Sequence, residues 1–327
     1  TDSTNIAAMY GEFAALAIGK EDTINLENDL IDLKITTKGG RISSVNLKEY
    51  LTHDKKPLIL FDGDESDFNF TFFTLSNRKI STNELYFAVT TNTTLSDGSQ
   101  KLVLTADLGE GKSLNNVYIL PKASYVVEYS FNISGLDKIL PRSVSTMDLQ
   151  WNMLMRQNEK GADFERRYSG LYYKFFQDDV ENISGSKSGE EILTTRVKWV
   201  GYKDQFFSSV LIAEDFFSSA TVNQEKLENV KGYLFNMEST LSLPIKENYN
   251  FTYYFGPNHY KTLTKTGYDL EKLINLGLPV VSWFNKYVVI NVFNILNNHI
   301  ANYGLIILIL TIFIKLLSCY GRPKTKR

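Results

Sequence analysis

Alternation of apolar and polar side chains with a period of two is the feature that most restricts the fold of this chain. In residues 125–133, Tyr, Val, Phe or Ile occupies every second position and mostly polar residues lie between them. Residues 31–36 show the same alternation, and the pair Gly39-Gly40 separates them from another such stretch at 42–47. Successive side chains of a strand point to opposite faces, so these stretches predict half-buried β-strands.

Turn signals recur between these stretches throughout the first three quarters of the chain. They occur at Asp62-Gly63, Asp97-Gly98, Gly109 to Gly111, Ser134-Gly135 and Gly185 to Gly189. Many short strands with frequent turns predict a mainly β fold, an antiparallel β-sandwich, over residues 23–262. The content of 43% hydrophobic residues excludes a disordered chain.

Composition also argues against several classes of site. The net charge of −2 gives no reason to expect a nucleic-acid partner. Cys319 is the single cysteine, so an internal disulfide is excluded. The three histidines, His53, His259 and His299, lie far apart in the sequence. We therefore expect no metal and no cofactor.

The segments on either side of the predicted sandwich have a different character. Residues 1–22 predict a mobile leader or linker, in which the alanines between positions 7 and 17 can form only a short helix that is not stable alone. Since the chain starts without Met, we also expect that a targeting segment precedes it. Residues 263–300 change to a helical pattern, with a short helix at 268–276 that ends at Gly277 and Pro279.

The second part of this helical region, residues 280–300, leaves two interpretations open. Its apolar residues form an imperfect stripe at helical spacing. Such a helix either packs against the sandwich or lies in a membrane interface. In the second interpretation Trp283 and Tyr287 are the amphipathic anchors.

The last apolar run decides the predicted class. Residues 303–320 contain one charge, Lys315, and at ~1.5 Å per residue they nearly cross a hydrocarbon core of about 30 Å. All 37 acidic residues lie before position 300, whereas four cations follow the run within residues 321–327. The positive-inside rule then predicts a transmembrane helix over 301–320, a basic cytoplasmic tail over 321–327 and the β body on the opposite side. A buried core helix is the alternative.

Four stretches resemble one known family. Residues 26–30 (LENDL) with 37–42 (TKGGRI), 198–207 (KWVGYKDQFF), 254–257 (YFGP) and 302–315, which begins NYG, occur in the order of that family's motifs. By this resemblance the chain is identified as a member of the YidC family of membrane protein insertases. The resemblance covers nearly the whole chain.

The resemblance implies a periplasmic β-supersandwich that is similar to sugar mutarotases, followed by an interfacial amphipathic helix and the second transmembrane helix. It implies location in the inner membrane, in a protein that is multi-pass at full length. Nascent membrane proteins, the secretion translocon and the lipid bilayer are the implied partners. No covalent chemistry is implied, so we expect no enzyme and no catalytic residue.

Lys315 matches the position at which the family has a cation lining a hydrophilic groove for substrates. The alternative is that its side chain snorkels to the membrane surface. The family continues with a P-L-T-like stretch and further helices, whereas residues 318–323 here read SCYGRP. We therefore expect this chain to be only a part of an insertase.

Two other functions remain open. Trp199, Tyr202, Phe206 and Phe207 line a peptide or lipid cleft, unless they are core residues. One alternative is therefore a membrane-tethered module that binds carbohydrate or peptide. A sugar-active enzyme of the mutarotase type is the other, and it requires a Glu beside His53 or His259 in an open pocket.

Overall fold

A computed structural model describes residues 3–277, 279–300 and 302–320. The chain forms two compact units, Thr1–Leu273 and Ile274–Arg327. The predicted basic tail at 321–327 lies outside the described residues.

The described residues form nineteen strands, which make up most of the first unit. They are β1 Thr23–Glu27, β2 Ile31–Thr36, β3 Ile42–Leu51, β4 Pro57–Asp62, β5 Ser66–Phe73, β6 Lys79–Ser81, β7 Ala88–Thr94, β8 Gln100–Gly109, β9 Lys112–Leu120, β10 Val126–Ser134, β11 Thr146–Arg156, β12 Gly170–Phe175, β13 Val180–Ser184, β14 Gly189–Leu193, β15 Val197–Lys203, β16 Phe207–Phe217, β17 Ser219–Lys226, β18 Tyr233–Pro244 and β19 Asn248–Pro257.

These strands pair into three sheets. The orders are β1-β2-β3-β4, then β13-β12-β15-β16-β19-β10-β9-β8-β7, and β14-β17-β18-β11-β5-β6. The pairings between these strands are antiparallel, for example Val127 opposite Tyr253 and Trp151 opposite Phe68. The predicted fold class, a mainly β antiparallel sandwich followed by C-terminal helices, is confirmed.

The alternation in the sequence matches the burial of the strands. In β10 the side chains of Val127, Tyr129, Phe131 and Ile133 are buried, and the residues between them are at least partly exposed. A strand with one face on a core requires this pattern, because its side chains alternate between the two faces.

The main core lies between the nine-stranded and the six-stranded sheets. Phe70 of β5 stacks on Phe131 of β10 with ring centroids 4.0 Å apart. The four-stranded sheet joins this core where Phe61 of β4 meets Phe255 of β19 edge to face at 5.9 Å. Each ring buries a large apolar area, so aromatic packing contributes to holding the three sheets together.

The glycine pair between β2 and β3 forms a turn. Gly39 and Gly40 have φ values of +80° and +60°, which glycine adopts without strain. A Cβ on Gly40 would lie 2.3 Å from Nδ2 of Asn116, and the carbonyl of Gly40 accepts a hydrogen bond of 2.7 Å from the hydroxyl of Tyr118. Glycine is therefore required by both the backbone angle and the close contact.

The prediction of a mobile leader is wrong for residues 3–17. They form α1 Ser3–Tyr10 and a 3₁₀ helix, Gly11–Ala17. The ring of Phe13 is fully buried and meets Phe72 edge to face at 5.9 Å. A segment too short to be a stable helix alone is thus held by tertiary contacts that its own composition does not reveal.

Three short helices follow in the first unit: α2 Leu136–Ile139, α3 Ala162–Tyr168 and α4 Tyr260–Thr264. The prediction of a helix at 268–276 is wrong, since only a 3₁₀ turn, Leu270–Leu273, forms there. Gly267 and Asp269 both have positive φ, which prevents a continuous helix, and Leu270 and Leu273 are buried in the turn that results.

The second unit is helical. It contains α5 Pro279–Phe284, a π-helical turn Asn285–Val289, α6 Ile290–Asn297 and α7 Tyr303–Tyr320. The helices α6 and α7 contact each other, and the rings of Phe293 and Tyr303 stack at 6.3 Å. Within the described parts of the chain, none of the helices combines the length and the apolar character that crossing a membrane requires. The transmembrane helix at 301–320 stays a prediction.

Candidate functional site

Three of the four predicted cleft aromatics are core residues in the structure. Trp199, Tyr202 and Phe207 are buried. The indole Nε1 of Trp199 donates a hydrogen bond of 2.9 Å to the carbonyl of Tyr268. Tyr202 stacks on Trp151 at 4.2 Å and its hydroxyl donates to the Trp151 carbonyl at 2.6 Å. Their burial favours the core-packing alternative for these three residues.

The fourth aromatic, Phe206, is 49% exposed. It lies in the turn between β15 and β16, whereas the neighbouring Phe207 ring meets Tyr50 edge to face at 5.0 Å. The structure thus divides the four aromatics between the core and the surface.

Lys315 lies on α7 with an exposed side chain. Many large apolar side chains of the same helix are also exposed. They are Leu305, Ile307, Leu308, Ile312, Ile314 and Leu316. The role of Lys315 in a substrate groove stays a prediction.

The predicted anchors of the interfacial helix are exposed as well. Trp283 of α5 and Tyr287 of the π-helical turn are neighbours, with ring centroids 5.7 Å apart. Aromatic residues with a polar tip suit the boundary between water and lipid, so their exposure is compatible with an interfacial position.

A cavity that the sequence analysis did not identify lies at one end of the sandwich. Its volume is about 540 Å³, and the turn between β3 and β4, the end of β11 and the loop before β18 line it. His53 is in this lining: its Nδ1 is 3.0 Å from the Asn158 carbonyl and its Nε2 is 3.0 Å from Asp54 Oδ1. No sequence motif in the turn between β3 and β4 indicates a site. The fold alone brings this turn next to the end of β11.

A clamped carboxylate lies in the same lining. Glu65 accepts two hydrogen bonds from the guanidinium of Arg156, at 2.6 and 2.9 Å, and a third at 2.6 Å from the hydroxyl of Tyr233. Glu65 also caps a 3₁₀ turn, because its side chain accepts the backbone N–H of Asp62. Both oxygens of Glu65 are therefore committed to fixed partners.

The condition for a sugar-active enzyme is thus met only in part. His53 does share a cavity with Glu65, but an acid–base pair needs a group that is free to exchange a proton with substrate. Glu65 is held by Arg156 and Tyr233, and both nitrogens of the His53 ring have protein partners. His259 contacts Thr262, and burial together with Lys261 and Lys265 lowers its pKa.

A buried pair of carboxyl groups lies directly behind the cavity wall. Glu165 of α3 accepts the backbone N–H groups of Asn158 at 2.8 Å and of Glu159 at 3.1 Å. Asp204 accepts from Nδ2 of Asn158 and from the hydroxyl of Ser169, both at 3.0 Å. The pair holds α3 against the end of β15.

The two carboxyl groups face each other and cannot both be charged at low cost. Burial and the neighbouring Asp204 raise the pKa of Glu165 to about 8, and burial raises the pKa of Asp204. Oε2 of Glu165 has no hydrogen-bond partner among the described residues, and the raised pKa favours the protonated form of this carboxyl group. Burial also lowers the pKa of the adjacent Lys203 to about 8.

Metal ligands are not assembled in this region. Among the residues that the structure describes, His, Cys, Asp and Glu form no group of three or more that would hold a metal ion.

Comparison with known proteins gives the family. The family model of the YidC periplasmic domain matches residues 23–290, most of the chain. The chain belongs to the YidC family. The match begins at the first strand of the sandwich and extends through the π-helical turn to the first residue of α6.

Curated relatives give the same family over an even longer stretch. The membrane protein insertase YidC of Parabacteroides distasonis is 39% identical over 94% of this chain and 50% of its own length. Those of Azobacteroides pseudotrichonymphae and Bacteroides fragilis are 37% and 35% identical, over 94% and 96% of this chain. The chain spans about half the length of the YidC relatives that it matches.

Solved structures with a similar arrangement of strands are distant in sequence. A galactose mutarotase-like protein from Lactobacillus casei is 14% identical, with a TM-score of 0.44 over 72% of this chain and 100% of that chain. An alpha-N-acetylgalactosaminidase from Bifidobacterium bifidum is 11% identical, with a TM-score of 0.47 over 75% of this chain and 38% of that chain. These likenesses concern the fold alone.

Proposed function

We propose that this chain is the part of a membrane protein insertase that carries its periplasmic domain and the start of the next membrane helix. Membership of the YidC family, over most of the chain, is the observation that carries this proposal. The full-length protein then aids the insertion and folding of integral membrane proteins, alone or with the secretion translocon.

The charge and exposure pattern support a position at the inner membrane, with the β body in the periplasm. The helices of the second unit expose apolar side chains that water solvates poorly. Residues 321–327, which directly follow the apolar run, contain four cations. In this topology the lipid bilayer covers α7, and nascent membrane proteins are the clients.

Depletion of the full-length protein in cells tests the insertase function. We expect small membrane proteins to accumulate outside the membrane, and normal insertion after depletion would refute the proposal.

Lys315 is the proposed contact for polar or acidic parts of an incoming chain. A lone cation in a poorly hydrated groove attracts such groups, because Coulomb interactions strengthen as the dielectric constant falls. We expect Lys315→Ala in the full-length protein to weaken insertion of clients with polar translocated segments, and Lys315→Arg to retain it. Equal insertion by all three proteins would assign Lys315 to snorkelling.

A catalytic function is not part of the proposal. The specific observation that favours a sugar-active enzyme, His53 beside Glu65, is offset by the clamp on Glu65. We expect polarimetry to show no acceleration of galactose mutarotation by this chain. Acceleration that His53→Ala abolishes would reinstate the enzyme.

A further inference from the structure

Three adjoining cavities form one continuous groove at the end of the sandwich. Their volumes are about 540, 490 and 540 Å³. The first and second share Gln157, Lys231, Gly232 and Tyr233. The second and third share Asp163, Arg166, Glu228 and Asn229. We call this surface, from His53 to Gly185, the end groove, and a series of three adjoining cavities suits an extended chain better than a compact ligand.

The end groove has a positive balance although the body as a whole is acidic. Its lining contains six cations and four carboxylates. The cations are Lys56, Arg156, Arg166, Arg167, Lys226 and Lys231, and the carboxylates are Asp54, Glu65, Asp163 and Glu228.

Each of the four carboxylates is paired with a cation inside the groove. The N···O distances are 3.6 Å for Lys56–Asp54, 2.6 Å for Arg156–Glu65, 2.9 Å for Arg166–Asp163 and 2.7 Å for Lys226–Glu228. Lys231 and Arg167 are exposed and enter no ion pair with any residue that the structure describes. The uncommitted charge of the groove is therefore positive.

The middle of the groove also offers apolar contacts. Phe164 of α3 and Val230 of the loop before β18 both line the second cavity and are exposed. The rest of α3 is fixed from behind, since Arg166 donates to the Leu227 carbonyl at 2.7 Å and Glu165 is buried. The groove thus combines a rigid wall, apolar contact points and free cations.

We propose that the end groove binds extended, acidic polypeptide segments that client proteins expose on the outer side of the membrane. This inference rests on the proposed function. By the positive-inside rule, the short loops that client proteins expose on the outer side contain fewer Lys and Arg than their cytoplasmic loops, so their carboxylates are less often offset. They therefore complement the two uncommitted cations of the groove, while Phe164 and Val230 accept apolar side chains without regard to sequence.

Peptide binding to the full chain in zwitterionic lipid nanodiscs tests the proposal. The probes are two unstructured, labelled peptides of equal length, with aspartates in one and lysines at the same positions in the other. At low ionic strength we expect the acidic peptide to bind about ten-fold more tightly, and added salt to reduce the difference.

The double variant Lys231→Glu/Arg167→Glu is expected to weaken binding of the acidic peptide about five- to ten-fold. The control variant Lys20→Glu/Lys122→Glu makes the same charge change at exposed lysines outside the groove. Its affinity for the acidic peptide should stay unchanged. Both variants alter exposed side chains, so equal melting temperatures confirm that folding is intact.

Three outcomes overturn the proposal: equal affinity for the two peptides, unchanged affinity in the groove variant, or equal loss in both double variants. Displacement of the acidic peptide by vesicles of phosphatidylglycerol would instead assign the groove to anionic lipid headgroups and overturn it too. The assay needs no insertion activity, so its failure is distinct from a failure of the depletion experiment.

Discussion

The β body and the helical unit use similar apolar residues in opposite ways. In the body, the rings of Phe70, Phe131 and Tyr129 are buried; Phe70 stacks on Phe131, and Tyr129 stacks on Tyr118. In the second unit, Trp283 of α5 and Leu308 of α7 are exposed. The body is stabilised by its own interior, whereas the helices present apolar surface outward. Apolar content alone therefore does not tell which side chains form a core.

The difference has a physical reason in the polar backbone and in the solvent. A sheet satisfies its backbone hydrogen bonds through neighbouring strands and must bury one face against another layer. A helix forms most of its backbone hydrogen bonds internally, so it tolerates an apolar environment on all sides. The following predictions test this contrast.

Removing a ring from the core should have the largest effect. Phe70 and Phe73 both lie on β5, but Phe70 is 1% and Phe73 is 48% exposed. We expect Phe70→Ala to lower the free energy of unfolding by about 3–5 kcal/mol, because it leaves a cavity. Phe73→Ala on the same strand should change it by less than about 1 kcal/mol. Urea unfolding followed by tryptophan fluorescence measures both, and equal losses would show that β5 does not have one core face.

The buried carboxyl pair should make the stability of the body depend on pH. Glu165 has an ordinary pKa of 4.5 when unfolded and a pKa of about 8 when folded. The folded state then holds more protons between these values, so the free energy of unfolding falls by roughly a few kcal/mol as pH rises through this window.

Glu165→Gln serves as the matched variant for the pH effect. The amide keeps an oxygen for the N–H groups of Asn158 and Glu159 and donates toward Asp204 without titrating. The free energy of unfolding of this variant should vary much less than that of the wild type between about pH 5 and about pH 8, the range of the pKa change. A wild-type protein that becomes more stable as pH rises through this range would contradict the raised pKa of Glu165.

Polar substitution on α7 should weaken membrane association. Leu308 is 56% exposed on α7, and Leu75 in the first unit is 57% exposed. We expect Leu308→Ser to make the free energy of partitioning of the full chain into vesicles about 2 kcal/mol less favourable, because an apolar side chain is no longer buried in lipid. Leu75→Ser should leave vesicle flotation unchanged. Equal effects of the two substitutions would remove the contrast between the units.

Loss of a single buried hydroxyl should have the smallest effect. The Tyr202 hydroxyl donates to the Trp151 carbonyl and contacts the Ser239 hydroxyl at 2.9 Å. We expect Tyr202→Phe to lower the free energy of unfolding by about 1–2 kcal/mol, because the buried carbonyl loses its donor. Tyr168→Phe, at an exposed ring, is the control and should be neutral. A neutral Tyr202→Phe would show that another group replaces the hydroxyl.

Local patterns predicted the strands well and the segments next to them poorly. Alternation in 125–133 predicted β10, and the glycine pair 39–40 predicted a turn. The burial of Phe13 depends on Phe72, which is remote in the sequence, and the predicted helix at 268–276 gave way to a 3₁₀ turn with Asp269 at positive φ. The resemblance to the YidC family came from motifs that each cover only a few residues.

The sequence by itself determined the β class, the family and the position of the apolar run, because these follow from periodicity, motif order and charge along the chain. Only the tertiary structure decided that Trp199 and Tyr202 are core residues, and that His53, Glu65 and Arg156 line one cavity. It also decided that the carboxyl groups of Glu165 and Asp204 are buried next to each other. These features depend on groups from distant strands, and local sequence carries no record of which strands become neighbours.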